Sequence, residues 1–215
     1  MTPISKLSLL SGDMEWEEFI HTLESDQIIN KQQSFNDRSS QELNKKNFDK
    51  IKYAAVLVPL VIRNDQITIV FTKRPSNMNE HAGQISFPGG KRESSDYSPQ
   101  DTALREAEEE IGLSRRDVTT LGRLNDYVVG TGYNITPVVG IVDPSSHFVP
   151  NVGEVEEIFE VPLLFALDDL NYRKDSIVEL GVEISFHVIE YKKRLIWGAT
   201  AAILVDLREV ILASR

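Results

Sequence analysis

Glu106, Glu109 and Glu110 put three carboxylates within five consecutive positions of this 215-residue chain. On a helix they fall on one arc of about 100°, beside a second arc formed by Ala103, Leu104, Ala107 and Ile111. Folding alone does not favour this arrangement. Like charges at i, i+4 destabilise by about 0.2–0.5 kcal/mol per pair. Negative charge near a helix C-terminus costs about 0.3–1 kcal/mol more per residue. A divalent cation reverses the sign, because a dense set of oxygen ligands suits Mg²⁺ or Mn²⁺. The bland alternative is a solvated acidic face on an acidic protein.

The element that must position these groups is a helix over Pro99–Ile111. Ser98 is placed to cap it, Pro99 suits the first turn, and Asp101 can answer Ser98 as a capping-box partner. Gly112 marks the stop. Ahead of the helix, Ala54–Ile62 and Ile67–Thr72 read as strands around an Asn64-Asp65 turn, followed by a Gly/Pro-rich segment ending in Phe87-Pro88-Gly89-Gly90. After it, Val118–Leu121, Ile135–Val142, Ile158–Val161, Ile184–Tyr191 and Leu195–Trp197 are strand candidates, and Thr200–Leu212 reads as a closing helix. Strands on both sides of a central helix predict an α/β (α+β) architecture, a sandwich around a mixed sheet.

The first fifty residues read differently. Trp16, Phe19, Ile20 and Leu23 form the stripe of a short amphipathic helix, and Ser25–Lys50 is a polar connector. Residues 1–50 are therefore expected as an N-terminal helix and connector, and 51–215 as the main domain.

Composition narrows the function classes. A net charge of −10 disfavours a broad nucleic-acid footprint but leaves room for a local basic pocket. The absence of cysteine excludes disulfides, zinc–thiolate sites and thiol nucleophiles. No apolar run approaches the length of a membrane helix; the longest, Ala54–Ile62, is interrupted by Pro59. The first six residues lack the basic start and apolar stretch of a secretion signal, so a cytoplasmic location and no membrane partner are expected. His21, His81, His147 and His187 show no ligand spacing. Lys91 is not a Walker A lysine, since Ile85 and Arg92 occupy positions that motif reserves for Gly and Ser/Thr.

The string Arg105-Glu106-Ala107-Glu108-Glu109-Glu110-Ile111-Gly112-Leu113, with Gly90 upstream, resembles the box of the Nudix hydrolases. That pattern runs Gly, five residues, Glu, seven residues, Arg-Glu-apolar-x-Glu-Glu-x-Gly-apolar. Here Asp96 stands in place of the first Glu, and one extra residue precedes Arg105, leaving Glu93 and Asp96 both open as the loop carboxylate. The upstream run Val70-Phe71-Thr72-Lys73-Arg74-Pro75, with Asn79, Gly83 and Phe87-Pro88-Gly89-Gly90, is similar to the coenzyme A pyrophosphatase branch. Pro75 and Asn79 depart from that branch's Ser and second Arg. Thr131–Gly140, Glu154–Leu163 and Trp197–Thr200 resemble it too.

The resemblance implies a Nudix-type α/β/α sandwich and metal-dependent cleavage of the pyrophosphate of coenzyme A or a derivative, giving 4′-phosphopantetheine and adenosine 3′,5′-bisphosphate. ADP-ribose or another nucleoside-diphosphate derivative is the alternative substrate, and a non-catalytic nucleotide-binding module the rival of another class. Glu106, Glu109 and Glu110 would hold Mg²⁺ or Mn²⁺. Glu154 is the first candidate for the general base and Glu109 the second. Arg105 completes the expected catalytic group as a cation that pairs with a loop carboxylate, not as a metal ligand. Arg74, Gly89, Gly90 and Tyr133 are the expected substrate contacts, with Lys73 and His81 as further phosphate candidates. Trp197 is expected in the core. The partner is a coenzyme A-like small molecule and no nucleic-acid polymer; a homodimer is admitted.

Overall fold

The computed structural model describes residues 51–63, 66–77, 82–179 and 182–213. The stripe at Trp16–Leu23, the connector, the Asn64-Asp65 turn, Asn79 and His81 lie outside the described residues. In chain order the elements are β1 (Lys52–Arg63), β2 (Gln66–Lys73), β3 (Ile85–Ser86), β4 (Gly89–Lys91), α1 (Pro99–Ile111), β5 (Val118–Arg123), β6 (Tyr127–Val128), β7 (Tyr133–Val142), β8 (Glu157–Pro162), α2 (Leu163–Leu167), β9 (Tyr172–Glu179), β10 (Val182–Tyr191), β11 (Arg194–Trp197) and α3 (Gly198–Ala213). Among the described helices none is long and apolar enough to cross a membrane.

β1 is the spine of an eight-stranded mixed sheet. It pairs in parallel with β7 from Lys52↔Tyr133 to Val61↔Val142. On its other edge it pairs antiparallel with β4 near its start and with β2 near its end. A strand buried on both faces reads as an unbroken apolar run. Ala55, Leu57 and Val61 face Ala103, Leu104, Ala107 and Ile111 of α1. Val58 and Leu60 face the opposite core with Phe71, Val139 and Phe159, covered by α2, α3 and the inner residues Ile189 and Ile196 of a second, three-stranded sheet. The layers are the expected α/β/α sandwich around a mixed sheet, with the β9–β11 sheet joining the layer opposite α1.

The structure adds elements that the sequence pattern did not mark. β4 is built from Gly89, Gly90 and Lys91, part of a segment read as loop, and becomes a strand only through β1. β9 has no apolar alternation over Arg173-Lys174-Asp175-Ser176 yet pairs with β10 along eight positions. The five-residue α2 is too short for a helical period to show.

Candidate active site

The helix that carries the glutamates is defined at both ends by local chemistry. Ser98 Oγ accepts from the Asp101 backbone N–H at 3.1 Å and contacts the Asp101 carboxylate at 2.9 Å, so Asp101 answers the Ser98 hydroxyl and not its backbone. Gly112 closes the helix in the left-handed region, φ 66°, and donates to the Glu108 carbonyl. Two further C-terminal carbonyls take donors from the following loop: Val149 N–H bonds Ile111 O and Asn151 N–H bonds Glu110 O, both at 2.9 Å.

The segment facing the helix is fixed just as firmly. Phe87 is buried and stacks on Phe71 at 4.9 Å, and Pro88 accepts from Leu57 N–H at 2.8 Å. Gly89 and Gly90 then lie opposite Val56 and Ala55. A Cβ on Gly89 would come within 2.5 Å of the Ala55 carbonyl oxygen, and one on Gly90 within 2.5 Å of the Glu106 carboxylate. Gly89 is required by the β1 backbone beside it, and Gly90 lets the Glu106 carboxylate lie against bare backbone.

The three glutamates diverge in environment. The Glu110 side chain is only 4% exposed; it accepts from Gly89 N–H at 3.1 Å and lies 3.9 Å from the Arg74 guanidinium. Burial pushes its carboxyl up to about 7, against the pull of Gly89 and Arg74, with the charges of Glu106 and Glu154 adding to the rise. Glu106 is also raised, first by burial, and Arg105 partly offsets this. Glu109 is 54% exposed and bonds Arg105 at 2.9 Å. A solvated acidic face does not describe Glu106 and Glu110.

Arg105 organises this side of the helix. Its Nε and one terminal nitrogen each reach Asp96 at 3.1 Å, the same terminal nitrogen reaches Lys91 O at 2.9 Å, and the other bonds Glu106 at 3.0 Å. Asp96 also accepts from Glu93 N–H and from the Thr102 hydroxyl. Its hydrogen bond to Arg105 holds the Asp96 carboxyl down at about 2. Of the two loop carboxylates left open by the sequence, Asp96 is the one paired with Arg105.

The remaining expected residues fall around this centre. Glu154 is exposed, on a turn whose backbone bonds Asn151 O; its charge acts on both Glu106 and Glu110. Arg74 stands beside Glu110, whereas Lys73 is taken by Glu156 at 2.6 Å. Tyr133 opens β7, with the Lys52 and Lys91 ammoniums 5.3 and 5.7 Å from its ring centroid. Trp197 packs against Phe186 at 5.5 Å. The sequence reading missed Asn151, whose tie to Glu110 depends on a loop register that no motif marks, and the two lysines around Tyr133, which lie far apart in the chain.

The NUDIX domain family model matches residues 52–180. The chain is a Nudix protein. The chain is 39% identical over 158 residues, 74% of its length and 79% of the relative, to an uncharacterized Nudix hydrolase NudL of Yersinia pestis strain Pestoides F. The NudL protein of Yersinia pseudotuberculosis serotype O:1b, strain IP 31758, gives the same figures. Among solved structures, a MutT/nudix family protein from Enterococcus faecalis aligns over 93% of this chain and 75% of its own at a TM-score of 0.52 and 14% identity. That likeness speaks to the fold, the mixed sheet and its flanking helices. The chain is accordingly a Nudix pyrophosphohydrolase, of a family that works with divalent metal ions.

The donor set fits such an ion in kind. Glu106, Glu110 and Glu154 offer oxygen-only donors whose charges oppose one another, and the Glu106 carboxylate lies directly against the bare backbone of Gly90. Among the described residues no three acidic or histidine side chains already converge on one point. Arg105 pairs with both Glu106 and Glu109, while the Glu106 carboxylate already lies against the Gly90 backbone.

Proposed function

We infer that this Nudix hydrolase cleaves the pyrophosphate of coenzyme A or its derivatives. The observation that carries the site assignment is the buried Glu110 carboxyl, pressed against Gly89 with Glu106 and Glu154 nearby and raised by burial. Support for the substrate is the upstream segment, in which Arg74 stands beside Glu110 and Gly89 and Gly90 lie against the α1 carboxylates. Asn79, in place of an arginine, favours the second reading, ADP-ribose or a related nucleoside-diphosphate conjugate.

Glu106 and Glu110, with Glu109 or Glu154 completing the set, would hold a Mg²⁺ or Mn²⁺ ion, which would supply charge neutralisation of the pyrophosphate and a lowered pKa for the attacking water. The chain's own residues do the rest. Glu154 takes the proton from water as it attacks phosphorus, with Glu109 as the second candidate. The bridging P–O bond breaks, and the products are 4′-phosphopantetheine and adenosine 3′,5′-bisphosphate. Arg74 meets a phosphoryl oxygen, and Arg105, anchored on Asp96, fixes the Gly90–Lys91 backbone relative to the glutamates.

A substrate panel tests this. Protein with Mg²⁺ or Mn²⁺ is given coenzyme A, acetyl-coenzyme A and ADP-ribose, with products identified by mass. Release of 4′-phosphopantetheine is expected. Turnover of ADP-ribose with intact coenzyme A would reject the substrate assignment, and turnover of neither would favour the binding-module rival.

A further inference from the structure

Beyond the carboxylate centre, Lys52, Lys91 and Tyr133 form a basic–aromatic platform in a chain of net charge −10. Lys52 is the register partner of Tyr133 across the parallel β1–β7 pair. Lys91 is the partner of Ala54 on the far edge of β1, so both ammoniums reach the ring from the same side of β7. Each lies within the distance at which a cation is attracted to an aromatic face. The backbone beneath is tied down: Lys52 N–H bonds Gly132 O at 3.0 Å, and Arg105 bonds Lys91 O at 2.9 Å. This is a fixed feature, and exposed lysines drawn over one ring gather like charge against their mutual repulsion.

The platform is one residue from the carboxylate centre, but on the other face of the sheet. Gly90 faces Glu106, and successive strand residues point to opposite faces, which sends Lys91 away from the glutamates. Among the described strands β4 pairs with β1 alone. A ligand with its pyrophosphate beside Glu106 and Glu110 would have to cross the β4 edge to place its nucleoside at Tyr133.

We propose that Lys52, Lys91 and Tyr133 form a specificity site for a nucleoside carrying a phosphomonoester besides its pyrophosphate, the ring stacking on the base and the two ammoniums binding the extra phosphate. This rests on the reading of a coenzyme A-like substrate, whose ribose 3′-phosphate is one sugar away from the pyrophosphate. Ammonium–phosphate contacts are charge-assisted and strong, whereas ADP-ribose has no group for them.

Two measurements separate this proposal from the substrate reading. By calorimetry, the wild-type protein is expected to bind adenosine 3′,5′-bisphosphate about tenfold more tightly than AMP. Lys52→Ala and Lys91→Ala should each bring that preference below about threefold, and Tyr133→Leu should weaken both nucleotides. In turnover, the ratio of kcat/KM for coenzyme A over 3′-dephospho-coenzyme A should fall in each lysine variant, through KM and not kcat. Equal wild-type affinity for the two nucleotides, or a preference that survives both lysine substitutions, overturns the platform. Cleavage of neither coenzyme overturns the substrate reading, while the calorimetric preference still decides the platform.

Discussion

Arg105 grips Asp96 through two nitrogens, each 3.1 Å from a separate carboxylate oxygen, and thereby joins the second turn of α1 to the loop that precedes it. The side chains are 16% and 4% exposed, so the pair is shielded and not a solvated surface bridge. Asp96 also receives Thr102 and the Glu93 backbone, which makes it the junction of loop, helix start and acidic arc.

Asp96→Asn breaks the charge pairing while keeping the shape. Turnover is expected to fall about tenfold and stability by about 1–3 kcal/mol, since a half-buried guanidinium loses its partner. The acid response should change as well. The folded carboxyl sits at about 2, below its ordinary 3.8, so its stabilisation is complete above pH 4 and lost as pH falls toward 2. It is worth about 2 kcal/mol. Urea melts at pH 6 and pH 3 should differ less in the variant than in the wild type.

Glu110→Gln should lower turnover at least about a hundredfold with the fold retained. In metal-free protein at pH 8 it should stabilise, because the wild-type chain must ionise a buried acid whose folded value is about 7, above the ordinary 4.5. A rise of about 1–3 kcal/mol is expected. Thermal melts with and without Mg²⁺ check it: metal should raise Tm in the wild type and much less in the variant.

The same carboxyl should set the pH dependence of the proposed metal uptake. Below about 7 Glu110 holds a proton that a cation must displace. Mn²⁺ affinity is expected to drop by up to about tenfold per pH unit between 7 and 5, with proton release visible by calorimetry in buffers of different ionisation enthalpy.

Gly90→Ala introduces a methyl group 2.5 Å from the Glu106 carboxylate. The side chain can move, so the fold survives, but Glu106 is driven off the position facing β4. A loss of about thirtyfold or more in kcat is expected, measured beside a circular-dichroism melt that shifts by only a few degrees.

Glu154→Gln and Glu109→Gln separate the base candidates. If Glu154 accepts the proton, its amide lowers kcat by about 10²–10⁴ with KM little changed, and raising the pH recovers part of the rate as hydroxide replaces base-assisted water. Glu109→Gln should then lose about tenfold or less, chiefly through its contact to Arg105.

How much of this was legible in the sequence depends on where the information sits. The ends of α1 are written locally in Ser98, Pro99 and Gly112, and the structure places them as read. β1, β2 and β7 could be read because burial on both faces leaves largely apolar runs. β4 could not, since two glycines have no strand preference and take their pairing from β1. At the site, an arc on a helical projection shows that three glutamates are neighbours but not how the arc is turned against the sheet. Only packing makes Glu110 buried and leaves Glu109 in solvent. Asp96 and Glu93 were indistinguishable by spacing, because choosing between them required the position of the Arg105 guanidinium.

The parallel alliance of β1 with β7 also orders the birth of the molecule. All of α1 lies in the crossover between them, so β1 meets its main neighbour only after the whole stretch between Arg63 and Tyr133 has been laid down. Long-range pairing of this kind is slow to nucleate. A ribosome that halts before Val142 leaves the apolar flank of β1 bare, and such stalled chains should be the ones that chaperones seize.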